Sequence, residues 1–159
     1  MPRRLLRDGR IVPDDWEYLG ERVHAPGTAL IIPFAEWQAS RESRIQSAGR
    51  HGVVLAPADP VEGIAGDLPY LALVGAEFTG PGEGRGYSQA RLLRDRYAFA
   101  GELRATGYVR RDQLFFMARC GFNAFELPEE ELAAGAAALA TFSAAYQPAP
   151  DTGIRLRHR

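Results

Sequence analysis

The chain has 159 residues, 46% of them hydrophobic and 25% charged, which are the size and composition of one soluble globular domain. Its 19 basic and 20 acidic residues nearly cancel, so no overall positive field would recruit nucleic acid. Every basic residue is arginine, and the absence of lysine excludes a Schiff-base or pyridoxal-phosphate lysine and a P-loop that uses its own lysine.

The N-terminal region predicts a β-hairpin over residues 5–12. Asp8-Gly9 stands there between two pairs of apolar residues. A two-residue type I′ turn needs a positive φ at both central positions, which this dipeptide tolerates well. We expect the hairpin to pack on an edge of the main domain.

From Ala29 onward, short apolar runs alternate with helical stretches. The predicted strands are 29–32, 53–55, 71–78, 101–105 and 124–127. The predicted helices are 35–47, 61–65, a helix that begins near Ser88, 113–120, and a long final helix from Pro128 to about Tyr146. This alternation is typical of βαβ units and predicts a mostly parallel sheet, either an open sheet or a partial β/α barrel. We expect one α/β domain over residues 1–147 and a flexible basic tail over residues 148–159.

Candidate site residues follow from the rule that parallel α/β folds bind ligands beyond the carboxyl ends of their strands. The loop from Gly80 to Ser88 has glycine at alternate positions, which leaves backbone N–H groups free, and Arg85 adds a guanidinium suited to phosphate, sulfate or carboxylate. Gly84, Arg85, Gly86 and Ser88 are therefore candidate anion ligands. The alternative is a loop that only turns the chain.

Two arginines at other strand ends extend this candidate site. Arg104 lies inside an apolar strand, where it must either contact an anion or form a structural salt bridge, for which Glu126 is the obvious partner. Arg111 and Asp112 precede a helix, where Asp112 either contributes to the site or only complements the helix dipole. We expect Arg85, Arg104 and Arg111 to converge on one hollow. Glu126 and Glu77 are the candidate acid/base residues if the protein is an enzyme.

The cysteine and histidine residues predict neither redox nor metal chemistry. Cys120 is the sole cysteine, and it is expected to be a buried thiol at a helix C-terminus, where the dipole disfavours a thiolate. The histidines show no metal-ligand spacing, so we expect no metal site, and the residues identify no cofactor. A single cysteine and the lack of a long apolar run indicate a cytoplasmic protein without a membrane partner.

Several motifs in fixed order resemble a bacterial family, the domain of unknown function nine-three-four, over roughly residues 50–147. The motifs are Gly84-Arg85-Gly86-Tyr87-Ser88, Ala90-Arg91-Leu92-Leu93-Arg94, Gly101-Glu102-Leu103-Arg104-Ala105, Arg111-Asp112-Gln113-Leu114 and Arg119-Cys120-Gly121-Phe122 through Ala124-Phe125-Glu126-Leu127. The chain departs from the family's pattern at Glu83, Tyr108 and Asn123, each of which replaces an aspartate. The last two changes remove a charge, which weakens any mechanism that needs a carboxylate there.

Members of this family are often described as oxidoreductases of sulfite reduction. The resemblance thus implies an accessory protein of assimilatory sulfite reduction, which binds the reductase or a small anion such as sulfite through its arginines. The residues leave two alternatives open. One is an α/β enzyme with a glutamate acid/base and an anionic substrate, and the other is a non-catalytic interaction module.

Overall fold

The computed structural model describes residues 3–145, so the predicted tail over residues 148–159 lies outside the described residues. Within these limits the chain alternates strands and helices in the order that the sequence predicts. The elements are β1 (Arg4–Arg7), β2 (Arg10–Pro13), β3 (Glu17–Tyr18), β4 (Leu30–Pro33), α1 (Phe34–Gln46), β5 (His51–Leu55), a 3₁₀ helix (Val61–Tyr70), β6 (Leu73–Phe78), α2 (Arg85–Arg91) with a π-helical turn (Leu92–Arg96), β7 (Glu102–Gly107), a 3₁₀ helix (Arg111–Gln113), α3 (Leu114–Cys120), β8 (Ala124–Phe125), a 3₁₀ helix (Glu129–Glu131) and α4 (Leu132–Ala145).

The strands form one curled open sheet, a half-barrel, in the order β2-β1-β8-β7-β6-β5-β4-β3. Strands β3 to β8 run parallel, and β1 is antiparallel to both β2 and β8. The predicted α/β class is confirmed, and the curled sheet combines both predicted forms. No helix among the described residues is long and apolar enough to cross a membrane.

The predicted N-terminal hairpin is also confirmed. Asp8 and Gly9 have φ angles of 53° and 80°, so both central residues of the turn adopt the left-handed conformation that a type I′ turn requires. Leu6 pairs with Phe125, which attaches the hairpin to the edge of β8. The hairpin therefore extends the parallel sheet by two antiparallel strands.

The two faces of the sheet differ in chemistry. Alternate residues such as Val74, Ala76 and Leu103 join one hydrophobic core with the buried residues of all four α-helices. The opposite face, which we call the inner face, carries Glu102 and Arg104 of β7 with Thr106 beyond them. A smaller apolar cluster of Trp16, Ala29, Ile31 and Leu73 lies outside the main core. The polar groups of the inner face are thus kept apart from the helical layer.

The predicted start of the helix near Ser88 is wrong, because α2 begins at Arg85 and Ser88 lies within it. Gly86 explains the earlier start. A Cβ atom at Gly86 would lie 2.6 Å from the Phe78 ring, so glycine lets the helix approach β6 closely. The Glu83 carboxylate, instead of a serine cap, accepts a hydrogen bond from the Arg85 backbone N–H at 2.9 Å.

Candidate functional site

The loops that follow β6, β7 and β8 together line an open depression of about 640 Å³. We call it the rim depression, because it lies where parallel strands present their carboxyl ends, the usual ligand-binding edge of such sheets. Its lining residues are Pro81 after β6, Tyr108, Arg110, Arg111, Asp112 and Gln113 after β7, and Glu131 after β8. The volume falls within the range of small-molecule sites.

The two guanidinium groups of the rim depression form no ion pair with a carboxylate of the described residues. Arg110 lies over the Tyr108 ring, with its guanidinium carbon 5.4 Å from the ring centroid, and Arg111 is exposed. Neither arginine forms a salt bridge with any residue that the structure describes. Both therefore keep their hydrogen-bond donors available to an anion.

Two acidic side chains line the rim depression as well. Asp112 and Glu131 form no salt bridge within the described part of the chain, although both line the same depression as the arginines. The side-chain oxygen of Gln113, Oε1, is buried and has no hydrogen-bond partner there. Gln113 thus lines the depression with other atoms of the residue, while this oxygen faces the protein interior.

Arg104 has a different environment, since it is fully buried on the inner face among three carboxylates. Its Nε donates to Glu102 at 2.9 Å, and its Nη1 donates to both Asp14 and Glu126 at 2.9 Å. Its Nη2 donates to Asp14 at 3.1 Å and lies 2.8 Å from Glu102. All five guanidinium donors thus face carboxylates.

The nearby carboxylates affect the pKa of Arg104 more strongly than its burial does. Burial alone would lower the pKa of Arg104, but Glu102, Asp14 and Glu126 raise that pKa further above its usual value. The structure contains the Arg104–Glu126 salt bridge that the sequence predicts as one of two possibilities. Because its donors are occupied, Arg104 supports the fold rather than presenting itself to a ligand.

Glu126 lies at the centre of the same network. Its Oε1 accepts a hydrogen bond from Thr106 at 2.7 Å, and its Oε2 accepts one from the Tyr18 hydroxyl at 2.6 Å. Burial and the charge of Glu126 raise the pKa of Tyr18 well above its usual value. Since both carboxylate oxygens are engaged, the geometry favours a positioning role for Glu126. Glu77, the other candidate acid/base residue, is exposed on the neighbouring strand, in register with Thr106.

The glycine loop, from Gly80 to Ser88, contains an ion pair between Arg85 and Glu83. Arg85 donates from Nε to Glu83 at 3.0 Å and from Nη2 to the other carboxylate oxygen at 2.9 Å. These hydrogen bonds from Arg85 lower the pKa of Glu83 to about 2. Gly84 directly precedes α2, and Gly86 packs on β6. The Arg85 guanidinium is therefore paired within the loop.

The predicted site residues accordingly divide into three groups. Arg111 and Asp112 share the rim depression, Arg104 and Glu126 share the inner-face network, and Arg85 pairs with Glu83. The three predicted arginines thus have separate sets of neighbours among the described residues. The expected convergence of Arg85, Arg104 and Arg111 on one hollow is therefore wrong, because the first two are held by carboxylates elsewhere.

Sequence reasoning missed several polar residues of both places. They are Asp14 and Tyr18 on the inner face, and Tyr108, Gln113 and Glu131 in the rim depression. Ligands of parallel α/β folds bind beyond the carboxyl ends of the strands, and this rule applies to the loop after β8 as well as to the loop after β7. For the loop after β8, the rule indicates the segment that contains Glu131.

Cys120 is buried, and burial raises the pKa of its thiol above the usual value. This environment agrees with the expected core thiol and disfavours a reactive thiolate. Over residues 3–145, no group of three or more histidine, cysteine, aspartate and glutamate residues could hold a metal ion.

The chain was compared with models of protein families. The model of the family described as "Bacterial protein of unknown function (DUF934)" matches residues 52–154. The matched segment contains the loops that line the rim depression, together with Arg104 and Glu126. Comparison with curated proteins gives no match.

Proposed function

The chain belongs to this bacterial family of unknown function, and we propose that it binds a small anion in the rim depression as an accessory protein of assimilatory sulfite reduction. One observation carries the anion-binding part. Arg110 and Arg111 share a depression at the carboxyl ends of parallel strands, and neither forms a salt bridge with a carboxylate of the described chain. The link to sulfite reduction is supported by the family resemblance.

Arg85 and Arg104 are less suitable anion ligands than the arginines of the rim depression, because both are already paired with carboxylates. The Arg85 guanidinium is already paired with Glu83, and the Arg104 guanidinium with Asp14, Glu102 and Glu126. An anion at either arginine would have to compete with a carboxylate that is already bound. At Arg110 and Arg111 an anion would replace only water and an aromatic contact.

Anion binding can be tested by NMR titration of the full chain with sulfite and sulfate. We expect the backbone signals of residues 108–113 to shift, because these residues line the depression. Arg110→Gln and Arg111→Gln should each weaken binding by about tenfold or more, since a hydrogen bond to a charged group contributes about 1.5–3 kcal/mol. The matched control is Arg85→Gln, which removes an arginine that is already paired.

The proposal fails if all three variants bind the anion like the wild type. It also fails if Arg85→Gln has the largest effect, since the anion would then lie at the glycine loop. Retained signal dispersion in each variant shows that the loss of binding is not a loss of folding.

The sulfite-reduction part needs a cellular test. A strain that lacks this protein should grow poorly with sulfate as the sole sulfur source and normally with cysteine. The wild-type gene should restore growth on sulfate, and a gene with both Arg110→Gln and Arg111→Gln should not. Equal growth of all strains on sulfate would refute this part and leave the anion-binding part to the titration.

We also propose sulfite reductase as a partner, with one of its carboxylates binding in the depression in place of sulfite. If a carboxylate of the reductase occupies the depression, sulfite should compete with the reductase for the purified protein. A non-catalytic interaction module would instead bind the reductase equally well with and without sulfite.

A further inference from the structure

The rim depression contains two acidic side chains beside its two arginines. Asp112 lies next to Arg111 in the chain, and Glu131 comes from the following loop. Opposite charges in one depression usually neutralise each other by forming ion pairs. Among the described residues, none of these four groups forms a salt bridge. Two cationic and two anionic side chains are therefore available in the rim depression.

The two carboxylates of the depression offer acceptors where the two arginines offer donors. An ammonium group has three N–H donors and needs several acceptors when it leaves water. Two carboxylates have the right chemistry for such a group, while the two guanidiniums suit a carboxylate or a sulfonate.

We infer that the ligand of the rim depression is a small zwitterion, an anion that also carries an ammonium group. This inference rests on the proposed function, because it names the chemical class of the ligand that the same depression binds. Arg110 and Arg111 hold the anionic end, and Asp112 and Glu131 receive the ammonium end. A simple anion such as sulfate satisfies only the first set and should therefore bind there more weakly than the zwitterion.

The test compares ligands that differ only in the ammonium group. The probes are acetate against glycine, and ethanesulfonate against 2-aminoethanesulfonate, each titrated into the full chain at pH 7 and followed by NMR. We expect the amine-bearing member of each pair to bind about tenfold or more tightly, which is the effect of one hydrogen bond to a charged group.

Two variants show whether this preference comes from the acidic residues. Glu131→Gln and Asp112→Asn should each reduce the preference for the amine-bearing probe and leave the affinity for the plain anion equal or greater. Both side chains are at least partly exposed, so their replacement by amides of the same shape should leave the fold intact.

The outcomes separate the inference from the proposed function. If both members of a pair bind equally, and Arg110→Gln weakens both, the zwitterion inference is wrong and anion binding stands. If the amine-bearing probe binds more tightly but the acidic variants keep that preference, the ammonium is received elsewhere and the inference is also wrong. If no probe binds, the proposed function fails and the inference fails with it.

Discussion

Replacement of Arg104 by alanine should destabilise the protein severely. The substitution leaves Asp14, Glu102 and Glu126 close together without the guanidinium that pairs with all three. The side chains of Arg104 and Asp14 have 0% exposure, so solvent cannot screen the remaining charges effectively. Because Asp14 belongs to the N-terminal segment, the same substitution should loosen that segment from the sheet.

Loss of one partner of a buried ion pair costs about 3–5 kcal/mol. For a chain of this size, each kcal/mol lowers Tm by about 2–4 °C, so Arg104→Ala should lower Tm by about 6–20 °C. Arg104→Lys should have a smaller effect, because lysine keeps the charge but cannot direct five donors at three carboxylates. The matched control is Arg85→Ala, whose exposed ion pair should contribute little to stability.

Thermal unfolding followed by circular dichroism measures these differences, and hydrogen exchange reports on residues 14–18. We expect Arg104→Ala to show both the lowest Tm and faster exchange in that segment. If Arg104→Ala is no less stable than Arg85→Ala, the buried network does not hold the N-terminal segment, and our interpretation of the inner face is wrong.

Two further predictions concern the glycine loop. Gly86→Ala should lower the free energy of unfolding by about 1–3 kcal/mol, because the added methyl group would be overpacked against Phe78 of β6. Gly84→Ala should have a much smaller effect, because the nearest atom to its added methyl group would lie 4.0 Å away. Equal effects of the two variants in urea unfolding would contradict the close approach of Gly86 to β6. Glu83, whose pKa is lowered to about 2, should stabilise the fold above its usual pKa of 4.5 and lose that effect as the pH falls towards 2. Its carboxyl resonance should titrate nearer the usual value in Arg85→Gln, and an unchanged titration there would exclude Arg85 as the cause.

The parallel part of the sheet could be predicted from local patterns. Strands β4 to β8 lie within two residues of their predicted bounds, and α1 and α3 lie within one residue of theirs. These elements bury short apolar runs against one core, so their sequence pattern and their burial carry the same information. The hairpin turn was predictable for a comparable reason, since Asp8-Gly9 fits the backbone that the turn needs.

The N-terminal part of the inner face could not be predicted in this way. Strand β3 has two residues, too few to show an alternating pattern. Asp14 reaches Arg104 over 90 positions of sequence, and Tyr18 reaches Glu126 over 108. Such contacts depend on the curl of the whole sheet, about which no local pattern carries information.

The rim depression was predictable in part. Arg111 and Asp112 follow a predicted strand, so the strand-end rule selects them directly. Glu131 lies in an acidic stretch after Pro128, where the helix dipole already explains acidic residues. Its place beside the arginines follows only from the parallel pairing of β7 with β8.

The position of a bound anion tests the central claim most directly. Crystals of the full chain soaked in selenate, a heavier analogue of sulfate, can be measured at the selenium absorption edge, where anomalous scattering locates the anion. We predict an anomalous peak within hydrogen-bond distance of the Arg110 and Arg111 guanidiniums, and its loss in the variant that carries Arg110→Gln and Arg111→Gln. A peak at Arg85 with none in the rim depression would contradict the claim.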